Sequence, residues 1–225
     1  MEHRPKRPGN ASGLCRSDLS QRSELLHRQR GRRILLLDAR SGSPPSPAGF
    51  LALAADDLAR LEARLASWEE WALDLLQTHL SYPMLAYYRS LHSNQSWLAG
   101  LAAIVDASAL LMLGAEGALA RQAAFTFAAG RHALAHTAAV FHLLPSHAAA
   151  DRLPSDAYNR LIAALAMIEF PLEVDRITHL KLSELRAMYE PSAEVLAGYF
   201  LFPLPPGFPA PKSWRIGSSA PGRSS

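Results

Sequence analysis

Two histidines four residues apart, His132 and His136, have the spacing that lets two side chains on one helix face share a metal ion. The metalloprotease pattern requires Glu directly after the first histidine, and Ala133 stands there instead. We therefore interpret the pair as two polar residues on one helix face and predict no metal and no cofactor. If an ion were held, the remaining candidate ligands for the same interior are His79, His92 and Asp106.

Asp106 interrupts a nearly all-apolar segment, and a buried carboxylate without a partner is costly. We predict that it is the buried acceptor for Arg89 or Arg131, and the alternative is a general base or a ligand-sensing acid. The sequence contains no G-x-S-x-G, G-x-G-x-x-G or G-x-x-x-x-G-K-[ST] motif. We predict no catalytic residue and no enzyme. One alternative function is a metal-dependent helical enzyme that uses His132, His136, Asp106 and His79. Another is a peripheral membrane protein docked on anionic lipid by residues 1–33.

The composition favours helices, because 49% of the 225 residues are hydrophobic, chiefly Ala and Leu, and 19% are charged. Cys15 is the single cysteine, which excludes an intrachain disulfide and fits a reducing compartment. The N-terminus has no apolar region behind its positive charges, so we expect no secretory signal and a cytoplasmic location. Residues 1–40 carry ten Lys and Arg against four acidic residues, but no aromatic residues interleave the arginines, so we predict no nucleic-acid binding.

The fold expectation is an all-α single helical bundle with a short extended N-terminal segment and disordered termini. We divide the chain into a disordered basic arm (1–33), an extended segment with a Pro-rich turn (34–47), a helical domain (48–202) and a Pro/Gly/Ser-rich tail (203–225). One predicted helix is capped by Ser93 or Asn94 and ends at Gly114. The other helices expected in the helical domain span residues 48–78, 84–91, 117–144, 156–170, 174–189 and 192–200.

The segment Trp97–Leu113 is the best candidate for a membrane span, with Asp106 and Ser108 as its polar residues. A span needs about 20 apolar residues, and an Asp near the bilayer centre costs roughly 2.5–3.5 kcal/mol. The sequence therefore favours a helix buried in the protein core.

Five segments resemble a known family. They are LLLDARSGSPPSP (35–47), the stretch from WEEWALDLL to VDASALL (68–111), AAFTFAAGRHA (123–133), LRAMYEP (185–191) and FPLPP (202–206). Together they are similar to the soluble C-terminal region of bacterial potassium channel family proteins, the two-transmembrane, pore-loop type often called two pore domain potassium channel. The resemblance covers roughly residues 33–208, and its most specific part combines HLSYP, RSLH, QSWL and the Asp that follows.

The resemblance implies a cytoplasmic, non-catalytic domain that follows a pore and acts in its assembly or gating. The sequence has no selectivity-filter-like loop, so we do not expect this chain to conduct ions alone. A truncated gene, a displaced start, a frame change or a soluble paralogue would give such a chain. Two positions depart from the family pattern, since Gln is usual where Leu91 stands and an acidic residue is usual near His136, which weakens the expectation of ligand binding but not of the fold.

The predicted functional feature is one internal polar or sensory cluster. Attached to a pore, such a cluster would bias opening if a signal bound two of its arrangements with different affinity. The expected partners are further copies of the chain or channel subunits, with a weak contact between the basic arm and an anionic membrane. The predicted members of the cluster are His79, Tyr82, Arg89, His92, Gln95, Asp106, Arg131 and His132.

Overall fold

A computed structural model describes residues 58–87, 96–145, 152–166, 172–173 and 177–204 of the chain. Helices account for 82% of this described part, which contains no strand. The predicted all-α helical body is confirmed. The predicted basic arm (1–33), the extended segment (34–47) and most of the C-terminal tail lie outside the described residues.

Three long helices form the centre of the fold. Helix α1 spans Leu58–Ser81, α2 spans Trp97–Gly114 and α3 spans Gly117–Val140, and a short 3₁₀ helix, Pro83–Tyr87, follows α1. The chain leaves α1 at Tyr82 because Pro83 disfavours the helical conformation of the residue before it, as predicted.

Helix α3 packs against both α1 and α2. The amide of Gln122 donates to Glu69 at 2.7 Å, and the hydroxyl of Thr126 contacts the carbonyl of Leu65 at 3.0 Å, so α1 and α3 run antiparallel. One turn after Thr126, a Cβ placed on Gly130 would overlap the Val105 side chain of α2. The glycine therefore permits the close approach of α2 and α3.

Three shorter helices cover the remaining faces of the core. Helix α4 spans Ser155–Ala166, α5 spans His179–Ala187 and α6 spans Glu190–Phe200. Helices α5 and α6 both contact α2, and α6 also contacts α3. As a result α2 is buried along nearly its whole length, as its apolar residues predict.

Several predicted helix ends are wrong. Helix α2 is capped by Ser96, whose Oγ accepts from the Ala99 amide at 3.0 Å, rather than by Ser93 or Asn94. Helix α5 starts at His179 rather than near residue 174, because the Thr178 side chain caps it.

Helix α3 ends at Val140, four residues before the predicted Leu144. His142 adopts a left-handed conformation with φ of 55°, and its amide donates to Ala139 while the Leu143 amide donates to Ala138. This pair of hydrogen bonds is a Schellman motif, which ends the helix without a glycine, so the sequence carried no stop signal there.

Helix α2 is long and apolar enough to cross a membrane, the one such helix found in the described part, with a mean hydropathy of 1.8 over 18 residues. Of this window, 83% is buried inside the fold. This burial agrees with the prediction of a core helix, because neighbouring helices already cover its apolar surface.

Candidate functional site

Asp106 lies at the centre of a buried charged network. The side chain projects from the middle of α2 and is 1% exposed. Its Oδ2 accepts a hydrogen bond from Nη2 of Arg152 at 3.0 Å, and its Oδ1 accepts a short hydrogen bond from the hydroxyl of Tyr189. Both carboxylate oxygens therefore have a partner, as a buried carboxylate requires.

Arg152 links Asp106 to a second carboxylate. Its Nη1 donates to Oε1 of Glu190 at 3.1 Å, and the same oxygen accepts from Nη2 of Arg186 at 2.5 Å. The two carboxylates and two guanidinium groups balance in formal charge. We call these five side chains the Asp106 network: Asp106, Arg152, Arg186, Tyr189 and Glu190.

The turn between α5 and α6 places three members of the network close together. Arg186 lies in the last turn of α5 and Glu190 in the first turn of α6, where the helix dipoles favour a cation and an anion respectively. Pro191 fits the first turn of α6, where a missing amide proton costs nothing. Tyr189 lies between the helices, fully buried, with its ring edge-on to Phe127 at 5.9 Å.

Burial and charge act together on the titratable groups. Burial alone would lower the pKa of Arg152, but the charges of Asp106 and Glu190 more than offset this, and the pKa is raised. Burial raises the pKa of Tyr189, and the Asp106 charge raises it further. Burial also raises the pKa of Glu190, although Arg186 and Arg152 oppose the rise. Arg152 and Tyr189 are therefore held in their proton-bearing forms.

His79 is buried at a different place. It is 3% exposed near the end of α1, and its ring meets the ring of Trp97 edge-on at 4.6 Å. Burial lowers its pKa from 6.5 to about 4, so the ring is neutral at pH 7. Trp97 begins α2 nine residues before Asp106, a rise of about 13 Å along the helix. His79 and Asp106 therefore do not share one cluster.

The prediction that Tyr82 and His132 are internal is wrong. Tyr82 is 58% exposed, because it follows the last turn of α1 at the Pro83 break. His132 is exposed because the core-facing residues of α3 in this region are Gly130, Ala133 and Leu134, on another side of the helix. Arg131 is half-buried, and among the described residues the arginine that pairs with Asp106 is Arg152. Three further predicted members lie outside the described residues: Arg89, His92 and Gln95.

The four residues of the metal-dependent alternative are not brought together. His132 and His136 are exposed with ring centroids 4.0 Å apart, whereas Asp106 is enclosed in its own network. Within the described ranges, no group of three or more His, Cys, Asp and Glu side chains is arranged to hold a metal ion.

Comparisons of the chain with family models, with curated proteins and with solved structures find no match.

Four members of the network were missed by sequence reasoning. Arg186 and Glu190 have the i, i+4 spacing of a helical ion pair, and Glu190 directly precedes Pro191, which is a readable signal. Arg152 lies between the helices predicted over 117–144 and 156–170, and nothing in its local sequence links it to a carboxylate 46 residues earlier.

Proposed function

We propose that this chain is the non-catalytic cytosolic domain of a prokaryotic potassium channel, and that it acts in the assembly or gating of a pore on the cytoplasmic face of the membrane. The resemblance of five segments to that family motivates the proposal. The observation that supports it most is the Asp106 network. It joins the central helix α2 to the segment before α4 and to the α5–α6 turn.

A buried charged network is a poor device for stability alone. Replacing a buried ion pair by apolar residues of similar volume is often neutral or stabilising, whereas breaking the pair costs about 3–5 kcal/mol. A network of this kind strongly favours one arrangement of the elements that it joins. Such a property suits a domain that must hold one state and be released from it by a signal.

Glu190 is the member most open to a signal. Its side chain is 14% exposed and accepts from both Arg152 and Arg186. Because burial raises its pKa, this carboxyl binds a proton at a higher pH than an exposed glutamate does. Protonation would weaken both ion pairs at once, and a ligand anion that captured either arginine would have the same effect.

The assembly role needs a surface for further subunits. The C-terminal part of α1, from Leu73 onwards, and the residues after it expose large apolar side chains, which is typical of a surface that another protein covers. The proposed contact with channel subunits or further copies of the chain uses Leu73, Leu80, Tyr82 and Met84. The basic arm, residues 1–33, would add a weak contact with anionic lipid.

The test joins the full chain behind a prokaryotic two-transmembrane potassium pore and measures single-channel open probability in a planar bilayer between pH 5 and 8. We expect Asp106→Asn to change the open probability, because the amide cannot hold Arg152 as the carboxylate does. Asp156→Asn is the matched control, since Asp156 forms an exposed ion pair with Arg160 at 2.7 Å.

Two results would contradict the proposal. The first is an open probability of the fusion equal to that of the pore alone at every pH. The second is an Asp106→Asn fusion that behaves like the Asp156→Asn fusion while its circular dichroism shows it to be folded.

A further inference from the structure

Aromatic side chains meet at the end of the bundle where α2 begins and where α3 and α6 end. Phe200 is central, with ring centroids 5.1 Å from Tyr87, 5.0 Å from Phe141 and 5.9 Å from Trp97. Phe202 stacks on Phe200 at 5.5 Å. We call this group the aromatic end: Tyr87, Trp97, Phe141, Tyr199, Phe200 and Phe202.

Two tyrosines form the outer face of the aromatic end. Tyr87 is 48% exposed and Tyr199 is 45% exposed, and their ring centroids are 6.1 Å apart. Phe141 contacts both rings, at 5.8 Å and 5.6 Å. The two tyrosine rings therefore present an aromatic surface over an apolar base.

A hydrogen bond fixes the orientation of these two rings. The hydroxyl oxygens of Tyr87 and Tyr199 are 2.7 Å apart. One hydroxyl donates its proton to the other, so the second proton can be donated to an acceptor outside the pair. The surface thus combines apolar ring faces with one hydrogen-bond donor.

The described chain ends at the aromatic end of the bundle, where Phe202 contacts Phe200 and Trp97. Leu201 adopts a left-handed conformation with φ of 54°, and the Phe202 amide then donates to Ala197. This turn places Phe202 against Phe200, and Leu204 packs against the core two residues later. The C-terminal tail therefore starts in contact with the aromatic end.

The tail that continues from Leu204 is rich in proline. Prolines occupy positions 203, 205, 206, 209 and 211, so the pattern P-x-x-P occurs at 203–206 and again at 206–209. Proline-rich segments favour the polyproline II conformation, in which the carbonyl groups make no internal hydrogen bond. Protein surfaces that recognise such segments are lined by aromatic rings, and binding loses little chain entropy.

We propose that residues 205–211 of the same chain dock on the outer face of Tyr87 and Tyr199 in a polyproline II conformation. Proline rings would pack on the two tyrosine rings, and a tail carbonyl would accept the second hydroxyl proton. Phe200 contacts Phe202 as well as both tyrosine rings. Seven residues in the polyproline II conformation span about 22 Å, which is enough to cross two rings at the same end of the bundle. The inference does not depend on the channel proposal.

The test compares the full chain with a full chain in which the four prolines at 205, 206, 209 and 211 are replaced by Ala. The NMR signals of the tyrosine ring protons are assigned in both. We expect the signals of Tyr87 and Tyr199 to differ between the two chains, because proline rings no longer pack on them. Tyr82 is the internal control, since it is exposed and lies outside the aromatic end. Identical Tyr87 and Tyr199 signals in the two chains would overturn the proposal.

A peptide of sequence FPLPPGFPAPK, added to the chain with the alanine tail, provides a second measurement. A short tether gives an effective concentration in the millimolar range, so the peptide must shift the Tyr87 and Tyr199 signals at millimolar concentration. Absence of a shift would also overturn the proposal. If the difference in the Tyr87 and Tyr199 signals between the two chains disappears on dilution, the tail docks on a second copy of the chain. That result would exclude docking within one chain.

Discussion

Asp106 on helix α2 and His79 beside the start of that helix are both buried, and the protein accommodates them in opposite ways. Asp106, in the middle of the helix, has an arginine and a tyrosine hydroxyl on its two carboxylate oxygens. His79, beside the first residue of the helix, lies edge-on to Trp97, and its buried Nδ1 has no hydrogen-bond partner among the described residues. One site keeps charges by pairing them, and the other is held neutral by burial.

The difference shows what each site can do. A paired charge fixes the positions of the segments that supply its partners, and so Asp106 links parts of the chain that are distant in sequence. A neutral histidine beside an aromatic ring does little to fix the positions of other segments, but its burial disfavours protonation. The first site therefore responds to the loss of a partner, which includes protonation of Glu190, and the second responds to pH through its own titration.

The largest effect is expected at Arg152. Arg152→Met leaves the Asp106 carboxylate buried without its cation, and we expect a loss of about 3–5 kcal/mol in the free energy of unfolding. Urea denaturation measures it. Arg160→Met is the matched control at the exposed pair and should not change the midpoint measurably. Equal losses in the free energy of unfolding for the two substitutions would show that the buried network contributes no more to stability than an exposed ion pair.

The next effect concerns His79 and pH. The pKa of His79 is about 4 in the folded chain and 6.5 ordinarily, so the unfolded chain binds more protons between these values. The contribution of His79 to the free energy of unfolding is therefore fully present above pH 6.5. It falls by about 3 kcal/mol as the pH falls towards 4.

The variant His79→Phe keeps an aromatic ring beside Trp97 and removes the titration. Unfolding measured between pH 7 and pH 4 should show a smaller loss of stability in this variant than in the unsubstituted chain. Parallel profiles of His79→Phe and the unsubstituted chain would contradict this account of the site.

A smaller effect is expected at Tyr189. Tyr189→Phe removes the hydrogen bond to the Asp106 carboxylate, and a hydrogen bond to a charged group contributes about 1.5–3 kcal/mol. Tyr158→Phe is the comparison, because the Tyr158 hydroxyl donates to the neutral carbonyl of Ile177 and should cost about 0.5–1.5 kcal/mol. Thermal unfolding of both variants tests the order, and a larger loss for Tyr158→Phe would reverse the comparison.

The sequence predicted the fold better than the site, for reasons that lie in particular residues. Apolar periodicity located α2 as the central helix, and Gly114 and Pro83 marked chain breaks, because these signals are local. Asp106 was recognised as a buried acceptor from its apolar neighbours alone. Its partner Arg152 could not be recognised from the sequence, since the pairing depends on how the segment before α4 packs on α2.

The sequence also predicted His132 to be internal, whereas the structure exposes it. Small residues such as Ala occur on several faces of α3, so the sequence alone does not identify which face is buried. The face of α3 that contains Gly130 is the one packed against Val105 of α2, and His132 lies away from that face. This contact between helices is not visible in either helix by itself.

A double-mutant cycle on Asp106→Asn and Arg152→Met tests the central claim most directly. If the network holds the two segments together through this pair, the losses in unfolding free energy will not add, and the coupling will be about 2 kcal/mol or more. The same cycle on Asp156→Asn and Arg160→Met should give no resolvable coupling, because that pair is exposed. Additive losses at Asp106 and Arg152 would contradict the claim that this pair is the centre of the buried network.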